Sequence, residues 1–210
     1  MIVFFDLDGT LINSSARHQI LLRELLIGAN VGYDEEILKT YDEYKRDGNN
    51  TYRFLTNIMK LNEDIALKIS NEWKEHIELP KYLQMDKLYE ETFLVLNYLK
   101  SKQIPIVYIS ARSNKVGIEE ELKYLGIFDY ARDVFIVDSK KAYENKYNVM
   151  KQISRPSDLI VGDTEVEFEL SQALQLNSII LNRGFRSKKY WDNLQVQSFD
   201  TILAPLMSIC

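Results

Sequence analysis

The sequence predicts an α/β fold, in which a Rossmann-like parallel sheet flanked by helices forms the core and an all-helical cap domain is inserted after the first strand. Three observations lead to this prediction. Apolar runs end in polar residues at several points, helical patterns alternate with these runs after residue 83, and residues 14–83 contain no strand-like run. Apolar runs without alternation are typical of strands buried on both faces, as in a parallel sheet covered by helices.

The first apolar run, residues 2–5, predicts the first strand. It ends in Asp6 and Asp8, and Gly9 follows as a turn residue. Side chains at positions i and i+2 of an extended chain point the same way, so both carboxylates should leave the strand on one side. We expect a ligand site there, because open α/β sheets bind ligands at the carboxyl ends of their strands.

Residues 14–83 have the apolar periodicity of helices, with Asp34 and Asn62 as N-cap candidates. The predicted cap helices span residues 14–27, 35–45, 52–61 and 63–77. We therefore assign residues 14–83 to a helical cap domain, and residues 1–13 and 84–210 to the α/β core domain.

The rest of the core alternates strands with helices, which implies right-handed crossovers between parallel strands. Ser110 and Asp163 directly follow two of these strands. The predicted strands span residues 104–109, 133–137, 158–162 and 178–181. The predicted helices span residues 87–102, 114–125, 147–153 and 165–176.

The strand ends bring acidic residues to one edge of the sheet. Two carboxylates about 4 Å apart repel by roughly 4 kcal/mol at an effective dielectric near 20. Asp6, Asp8 and Asp163 therefore require a cation if they are ionised together. Ligation by oxygen alone favours Mg²⁺, which usually takes one or two carboxylates together with water and substrate phosphate.

Four motifs resemble those of the haloacid dehalogenase superfamily, in the same order. They are Asp6-Leu7-Asp8-Gly9-Thr10, Ser110, a downstream lysine, and Gly162-Asp163-Thr164-Glu165-Val166-Glu167. The helical insertion after the first motif is similar to the caps of the phosphoglycolate phosphatase and β-phosphoglucomutase branch. The resemblance implies a Mg²⁺-dependent phosphatase that acts on a small phosphorylated metabolite. A dehalogenase is disfavoured, because carbon–halogen displacement has no use for a second acidic residue or a magnesium cluster.

The resemblance also implies roles for the acidic residues. Asp6 falls on the nucleophile that forms an aspartyl-phosphate, and Asp8 on the residue that protonates the leaving oxygen and later activates water. The implied metal ligands are Asp6, Asp8, Asp163 and Glu167. Glu167 has an alternative interpretation, since Thr164 and Glu167 also have the spacing of a helix-capping box.

The remaining predicted contacts are with the substrate. The resemblance implies that Thr10, Ser110 and Ala111 contact the phosphoryl group, through hydroxyl or backbone N–H groups. In the cap, Tyr and basic residues around Gly48 either contact the rest of the substrate or form ordinary surface, and Arg53 is the candidate among them. His18 and His76 are expected at the surface of the cap or partly buried.

The motif lysine is the least certain of these assignments. The usual Lys-Pro-x-Pro sequence of the family is absent. Lys146, at the expected start of a helix, is favoured as a catalytic and phosphate-binding residue, and Lys141 is the second choice. Lys151 is expected on the outer face of that helix.

Two alternatives to a phosphatase remain open. A phosphomutase would share every core residue, but Asn49, Asn50 and Thr51 follow Gly48 where sugar-phosphate mutases of this branch tend to have an arginine. A non-catalytic binding or regulatory protein on the same fold is the other alternative. The intact acidic residues argue against it, since a protein without chemistry has no reason to hold them together.

Composition and charge limit the expected partners and location of the protein. The chain has 210 residues and a formal net charge of −5, which argues against nucleic acid as the main partner. No apolar stretch approaches the ~20 residues that span a bilayer, and no signal peptide is evident, so we expect no membrane partner. Cys210 is the only cysteine, which indicates a cytoplasmic protein. Both a monomer and a homodimer are compatible with the sequence.

A basic run near the C-terminus has two interpretations. Arg183, Arg186, Lys188 and Lys189 are interleaved with aromatic residues. We expect a solvated loop after the last strand. Alternatively, the run binds a second anionic group of the substrate.

Overall fold

A computed structural model describes residues 1–209 of the chain. Cys210, on which the expectation of a cytoplasmic protein partly rests, lies outside the described residues. The described strands are β1 (Val3–Phe5), β2 (Ile12–Asn13), β3 (Lys87–Leu88), β4 (Ile106–Ala111), β5 (Asp133–Val137), β6 (Leu159–Gly162) and β7 (Asn177–Ile180).

The helices of residues 1–209 alternate with the core strands and fill the segment between β2 and β3. They are α1 (Ser15–Gly28), α2 (Glu35–Lys39), α3 (Tyr41–Arg46), α4 (Thr51–Arg53), α5 (Glu63–His76), α6 (Pro80–Leu83), α7 (Thr92–Ser101), α8 (Lys115–Tyr124), α9 (Ala142–Ile153), α10 (Glu165–Leu174), α11 (Lys188–Asn193) and α12 (Leu203–Ile209). Not one of them combines the length with the apolar character that crossing a membrane requires.

Five parallel strands form the central sheet in the order β5-β4-β1-β6-β7. In this order β1 lies at the centre. Phe5 is in register with Tyr108 of β4 on one side and with Val161 of β6 on the other. Asp6, Ser110 and Asp163 follow these positions by one or two residues, so the register brings them to the same edge of the sheet.

The two faces of the sheet bury alternate residues of each strand. Val3 and Phe5 pack in one hydrophobic cluster with α7, α8 and α12. Phe4 packs in another with α9 and α10. Successive side chains of a strand point to opposite faces, so an unalternated apolar run is needed when helices cover both. The predicted parallel sheet flanked by helices is confirmed.

Residues 15–83 contain helices joined by short loops, and they have a hydrophobic cluster of their own. The cluster contains Leu21, Leu22, Phe54 and Ile69, among other buried residues. β2 and β3 pair antiparallel where the chain enters and leaves this segment. We call residues 14–83 the cap. Their status as a separate domain stays a prediction.

Two predicted cap helices differ from the structure. The predicted helix 35–45 is divided into α2 and α3 at Thr40, whose hydroxyl donates to the Ile37 carbonyl at 2.7 Å and competes with the helical backbone bonds. The predicted helix 52–61 is the short α4 followed by a π-helical turn over Phe54–Ile58. The side chains of Asp34 and Asn62 accept backbone N–H bonds, as predicted for N-caps.

Two core helices begin elsewhere than predicted. The helix expected from residue 87 begins at Thr92 as α7, because residues 87–88 pair with β2 instead. The helix expected from residue 147 begins at Ala142 as α9. A 3₁₀ turn over Ser139–Lys141, capped by the Asp138 carboxylate, precedes it and turns the chain into the helix early.

The expectation of a solvated loop after the last strand is confirmed only in part, because a loop over residues 182–187 is followed by a helix. This region contains α11, whose Trp191 is fully buried. Arg183 is ion-paired with Glu91, and Arg186 with Glu165. Lys188 Nζ lies 2.8 Å from Asp192 Oδ1 and Lys189 Nζ lies 3.7 Å from Asp47 Oδ2. Trp191 therefore anchors the basic run to the core, and all four of its cations are paired with carboxylates.

Candidate active site

Three carboxylates lie together at the carboxyl edge of the sheet. Asp6 follows β1, Asp163 follows β6, and Glu167 lies in the first turn of α10. One oxygen from each of the three lies within 4.8 Å of the others, and all three residues are buried. We call Asp6, Asp163 and Glu167 the acidic group. Oxygen donors alone, in a buried cluster, fit a hard divalent cation such as Mg²⁺.

Lys146 is the cation that contacts the acidic group. Its Nζ donates to Asp6 Oδ1 at 2.6 Å and to Glu167 Oε1 at 2.7 Å. Lys146 is buried in the second turn of α9, one turn beyond the helix start where the sequence analysis placed it. Lys141 and Lys151 are exposed. The structure therefore brings the favoured lysine to Asp6, and not the second choice.

Burial opposes ionisation of the acidic group. It raises the pKa of Asp6 to about 7 in spite of the Lys146 charge, and the Glu167 carboxylate adds to the rise. Burial and the nearby Asp6 carboxylate raise the pKa of Asp163 well above its usual range. Burial alone would lower the pKa of Lys146, but Asp6 and Glu167 outweigh it and hold that pKa above its usual range. With Lys146 as their one ammonium partner, the three carboxyl groups would need a further cation in order to be ionised together.

Glu167 does not form the capping box that its spacing from Thr164 suggested. The Thr164 side chain accepts no backbone bond at the start of α10. Its Oγ1 instead donates to Glu167 Oε2 at 2.6 Å, while Lys146 holds the other carboxylate oxygen. Glu167 is therefore turned into the acidic group rather than back along its own helix. The capping-box interpretation is wrong, and the role as a metal ligand stays a prediction.

Asp163 is enclosed by backbone on two sides. A Cβ atom at Gly9 would lie 2.2 Å from Asp163 Oδ2, and one at Gly184 would lie 2.1 Å from the same atom. The backbone N–H of Phe185 donates to Oδ2 at 2.5 Å, and Thr10 Oγ1 donates to Oδ1 at 3.4 Å. Thr10, predicted to contact the phosphoryl group, is thus fully buried against Asp163.

Asp8 lies in different surroundings, although it is only two residues from Asp6. Arg112 binds its carboxylate with two bonds, Nε to Oδ2 at 2.6 Å and Nη2 to Oδ1 at 2.7 Å, and Arg17 Nη2 donates to Oδ1 at 2.6 Å. Burial alone would raise the pKa of Asp8, but the two guanidinium groups hold it well below its usual range. The Asp8 carboxylate is not one of the acidic group, and the role of Asp8 as a metal ligand stays a prediction.

The arginines continue into a buried charge network. Arg112 Nη1 donates to Glu121 Oε2 at 2.5 Å, and Arg17 Nε lies 3.4 Å from Asp86 Oδ1. Burial raises the pKa of Asp86 to about 9, although the Arg17 charge opposes the rise. The sequence analysis did not identify either arginine. Arg112 follows Ser110 by two positions, which places it on the same side of the chain and is the signal that was missed.

Ser110 and Ala111 end β4, the neighbour of β1 in the sheet. Ser110 is buried, and its place in the register is beside the end of β1. The structure thus brings Ser110 to the same edge as Asp6. Arg53 is exposed on α4 and does not line the space beside the acidic group. A substrate contact by Arg53 stays a prediction.

A cavity of about 20 Å³ lies between the cap and the core. Gly9 and Gly184 line it from the core, and His18, Lys45 and Arg46 line it from the cap. His18 is 5% exposed, so the expectation of a surface or partly buried histidine is wrong. Burial lowers the pKa of His18 well below its usual range and the pKa of Lys45 to about 7.

The cap is fastened to the loop that follows β7. Arg46 Nη2 donates to the Asn182 carbonyl at 2.5 Å, and the Ser187 N–H donates to the Arg46 carbonyl at 2.9 Å. Ser187 Oγ also donates to Asp47 Oδ1 at 3.1 Å. The cap therefore contacts the core through the loop that follows β7, in addition to its connection through β2 and β3.

A model of the haloacid dehalogenase-like hydrolases matches residues 1–163, more than three quarters of the chain. The chain belongs to this family. The family and the hydrolase class expected from the four motifs are therefore confirmed. No curated protein matches the chain.

Solved structures with the same fold include other haloacid dehalogenase-like proteins. A family member from Streptococcus pneumoniae is 17% identical with a TM-score of 0.74, and the match covers 100% of this chain and 98% of that one. A proposed phosphatase from Clostridium difficile is 18% identical with a TM-score of 0.79 and the same coverage. A proposed hydrolase of the family from Bacillus subtilis, solved with magnesium and described as showing interdomain movement, is 16% identical with a TM-score of 0.61, covering 93% and 98%. At these identities the similarity shows the fold alone.

Proposed function

We propose that the protein is a Mg²⁺-dependent phosphatase that hydrolyses a small phosphorylated metabolite through an aspartyl-phosphate on Asp6. The observation that carries the proposal is the pair of bonds from Lys146 Nζ to Asp6 at 2.6 Å and to Glu167 at 2.7 Å, beside Asp163. A buried lysine that holds a carboxylate at a strand end orders that carboxylate for attack and offsets charge on a transferring group. Membership of the hydrolase family supports the same chemistry.

The acidic group is suited to hold the cation. Asp6, Asp163 and Glu167 offer only oxygen atoms, and their three carboxylates exceed the single positive charge of Lys146. When bound, Mg²⁺ would neutralise charge on the phosphoryl oxygens during transfer.

Asp6 is the proposed nucleophile. Lys146 occupies Oδ1 of Asp6, so we assign Oδ2 to the attack on phosphorus. The new bond between Oδ2 and phosphorus forms as the bond from phosphorus to the leaving alcohol breaks. Water then attacks phosphorus, phosphate leaves, and the Asp6 carboxylate is restored. Ser110, at the same edge of the sheet, donates its hydroxyl hydrogen to a phosphoryl oxygen.

Asp8 is the proposed proton carrier. Arg17 and Arg112 hold it ionised, which is the state that a base needs in order to take a proton from the attacking water. The first step needs the opposite, a proton delivered to the leaving oxygen. We propose that the substrate displaces at least one arginine from Asp8, so that the pKa of Asp8 rises and its carboxylate takes a proton from the substrate's phosphate monoanion or from water before it passes that proton to the leaving oxygen.

Hydrolysis of an aryl phosphate, followed with and without Mg²⁺, tests the proposal. We expect phosphate release with Mg²⁺, loss of release in excess EDTA, and recovery when Mg²⁺ is added back. Full activity in EDTA would contradict the metal requirement. A panel of phosphorylated metabolites identifies the substrate, and binding of panel members without any turnover would support a non-catalytic protein.

Phosphorus NMR of the products separates the phosphatase from a phosphomutase. We expect inorganic phosphate as the phosphorus-containing product. A phosphoryl group that reappears at another position of the substrate would instead support the mutase.

A further inference from the structure

Arg17 and Asp86 are two buried groups whose hydrogen bonds are incomplete. Arg17, on α1 of the cap, has a side chain that is 3% exposed, and its Nε and Nη1 have no hydrogen-bond partner among residues 1–209. Asp86, which precedes β3, has a fully buried side chain, and neither of its oxygens has a partner in the same part of the chain. Unmade bonds of buried polar groups are unfavourable, so spare donors beside spare acceptors point to a second arrangement in which they meet.

The two groups are already close to each other. Arg17 Nε lies 3.4 Å from Asp86 Oδ1. A hydrogen bond from N–H to oxygen is about 2.9 Å long, so a shift of about half an ångström would complete this contact. The bond that opposes the shift runs from Arg17 Nη2 to Asp8 Oδ1, at 2.6 Å. Arg17 therefore lies between two carboxyl groups and is hydrogen-bonded to one of them.

Arg112, the other arginine on Asp8, has no alternative partner of this kind. Its Nε and Nη2 bind Asp8 and its Nη1 binds Glu121, so every nitrogen of its guanidinium group is bonded to a carboxylate. Arg112 also belongs to the core, as Asp8 does, whereas Arg17 belongs to the cap. The arginine that can leave Asp8 at the smaller cost is therefore Arg17.

The charges of the network permit such an exchange. Three carboxyl groups, those of Asp8, Asp86 and Glu121, face two guanidinium groups, so the network is neutral when one carboxyl group is protonated. Burial raises the pKa of Asp86 to about 9 against the charge of Arg17, and the Asp8 and Glu121 carboxylates add to the rise. Asp86 thus carries the proton while Arg17 is on Asp8. With Arg17 on Asp86, the same count places the proton on Asp8.

We propose that Arg17 moves from Asp8 to Asp86 when substrate binds, and that Asp86 is a positioning residue that holds Arg17 away while Asp8 delivers a proton to the leaving oxygen. The inference rests on the proposed function, in which at least one arginine leaves Asp8, and it identifies which one. Asp86 releases one proton to water as Asp8 takes one up, so the number of protons on the network does not change. Once the leaving group has its proton, Arg17 returns to the ionised Asp8, which then acts as the base.

Two aryl phosphates of similar shape test the inference. Phenyl phosphate releases a phenol, whose pKa is about 10 as in a tyrosine side chain, so its hydrolysis depends on a proton from Asp8. The nitro group of 4-nitrophenyl phosphate stabilises the departing oxyanion, so hydrolysis of this ester depends on that proton much less. The ratio of kcat for the two esters therefore reports proton delivery by Asp8, separately from the general integrity of the site.

Asp86→Asn is the main variant. Its amide has the shape of a protonated carboxyl group but cannot become a carboxylate that pairs with Arg17. We expect kcat for phenyl phosphate to fall by about tenfold or more, a part of the roughly 10² to 10⁴ that a general acid supplies, and kcat for 4-nitrophenyl phosphate to fall by less than about threefold. Urea unfolding checks that the variant is folded, and Asp86→Ser is a second variant with the same expected result. The matched control is Asp192→Asn, at an exposed carboxylate, which should keep both wild-type values.

A double-mutant cycle with Arg17→Met tests the exchange between the two residues. In the Arg17→Met background no arginine has to be moved to Asp86. Adding Asp86→Asn to that background should therefore change the kcat ratio of the two esters by less than about twofold. Residues that act independently would instead have additive effects on this ratio.

Three outcomes would overturn the inference. One is a loss of both activities in the same proportion in the Asp86 variants, or no loss of either, which would show that Asp86 has a structural role only. Another is a change in the kcat ratio on Asp86→Asn that is the same with and without Arg17. Both outcomes would leave the proposed function intact. The third is a wild-type protein that hydrolyses neither ester nor any other phosphate monoester, and this result alone would also remove the proposed function.

Discussion

Asp6 and Asp8 leave the same strand end two residues apart, yet the protein gives their carboxylates opposite surroundings. Asp6 shares one lysine with Glu167 and lies beside Asp163, and burial together with the Glu167 carboxylate raises its pKa to about 7 in spite of the Lys146 charge. Asp8 is bound by two arginines, so positive charge dominates and its pKa is held well below its usual range.

The difference teaches how one short motif can supply two chemical roles. A site with excess carboxylates attracts a cation and is completed by it. A site in which arginines already surround the carboxylate has no such need, and it keeps that carboxylate ionised. Pairs of titratable groups whose surroundings push their pKa values apart are typical of catalytic sites with separate roles for each group.

The largest expected effect is that of Asp6→Asn, because it removes the proposed nucleophile. We expect turnover to fall by at least about 10⁴-fold. Acid-quenched wild-type enzyme should carry one added phosphoryl group by mass spectrometry, and the variant should carry none. An exposed carboxylate, Asp192, supplies the control, since Asp192→Asn should leave both results unchanged. Turnover by Asp6→Asn near the wild-type rate would refute the nucleophile.

Lys146→Ala should have the next largest effect. Loss of a charge-assisted contact of a few kcal/mol corresponds to roughly 10² to 10³ in rate, at about 1.4 kcal/mol for each tenfold change. Lys151→Ala and Lys141→Ala, both at exposed positions, should change the rate by less than about threefold. Steady-state kinetics with an aryl phosphate measures all three. If Lys141→Ala greatly reduced the rate and Lys146→Ala left it nearly unchanged, the contact between Lys146 and Asp6 would not be the catalytic one.

Asp8→Asn should slow turnover by about 10² through loss of proton transfer. The effect should be larger for an alkyl phosphate than for an aryl phosphate. The alkyl leaving group depends on a proton, whereas the aryl leaving group depends on it to a smaller extent. Comparing kcat/KM for the two esters in the variant and the wild type checks this. Equal losses on both esters would indicate that Asp8 only positions Arg17 and Arg112.

The smallest expected effect is on the free energy of unfolding. The contributions of Asp6 and Asp8 to this free energy depend on pH in different ways. Between the usual pKa of 3.8 and the folded value of about 7, the folded protein binds more protons at Asp6 than the unfolded chain does. The free energy of unfolding should therefore fall as the pH rises through this window. The pKa of Asp8 is lowered on folding, so its contribution is lost only as the pH falls below the usual range of a carboxyl group.

Urea unfolding in EDTA at several values between about pH 5 and pH 8 measures this difference. Asp6→Asn should reduce the decline in unfolding free energy across the window, whereas Asp8→Asn should not. Identical slopes for Asp6→Asn and wild type would contradict the raised pKa.

The residues whose position at the sheet edge could be predicted from the sequence are those at strand ends. Asp6, Ser110 and Asp163 each follow an apolar run, and parallel pairing leaves few places for such residues except one edge of the sheet. Lys146 was placed by its position before a helical pattern, but its helix begins at Ala142, because a 3₁₀ turn carries no periodicity that would reveal it.

The residues that the sequence analysis missed are brought to the site only by tertiary contacts between distant parts of the chain. Arg17 lies on α1 among residues with ordinary helical spacing, and its partner Asp86 is 69 positions away along the chain. Lys45 was noted only as one of several basic and aromatic residues near Gly48. Its neighbours Trp73 and Phe185 come from distant parts of the sequence, so no local pattern could show that they enclose it.

Gly9 and Gly184 limit how this enzyme can diversify. A single methyl group at either position would occupy the place of an Asp163 oxygen, so the smallest change available to a protein would remove a carboxylate from the acidic group. These two glycine positions beside Asp163 therefore do not tolerate even a small side chain. New specificities are therefore expected from the cap residues that line the cavity, which include residues of α3. Directed evolution toward another leaving group should begin with the residues of α3.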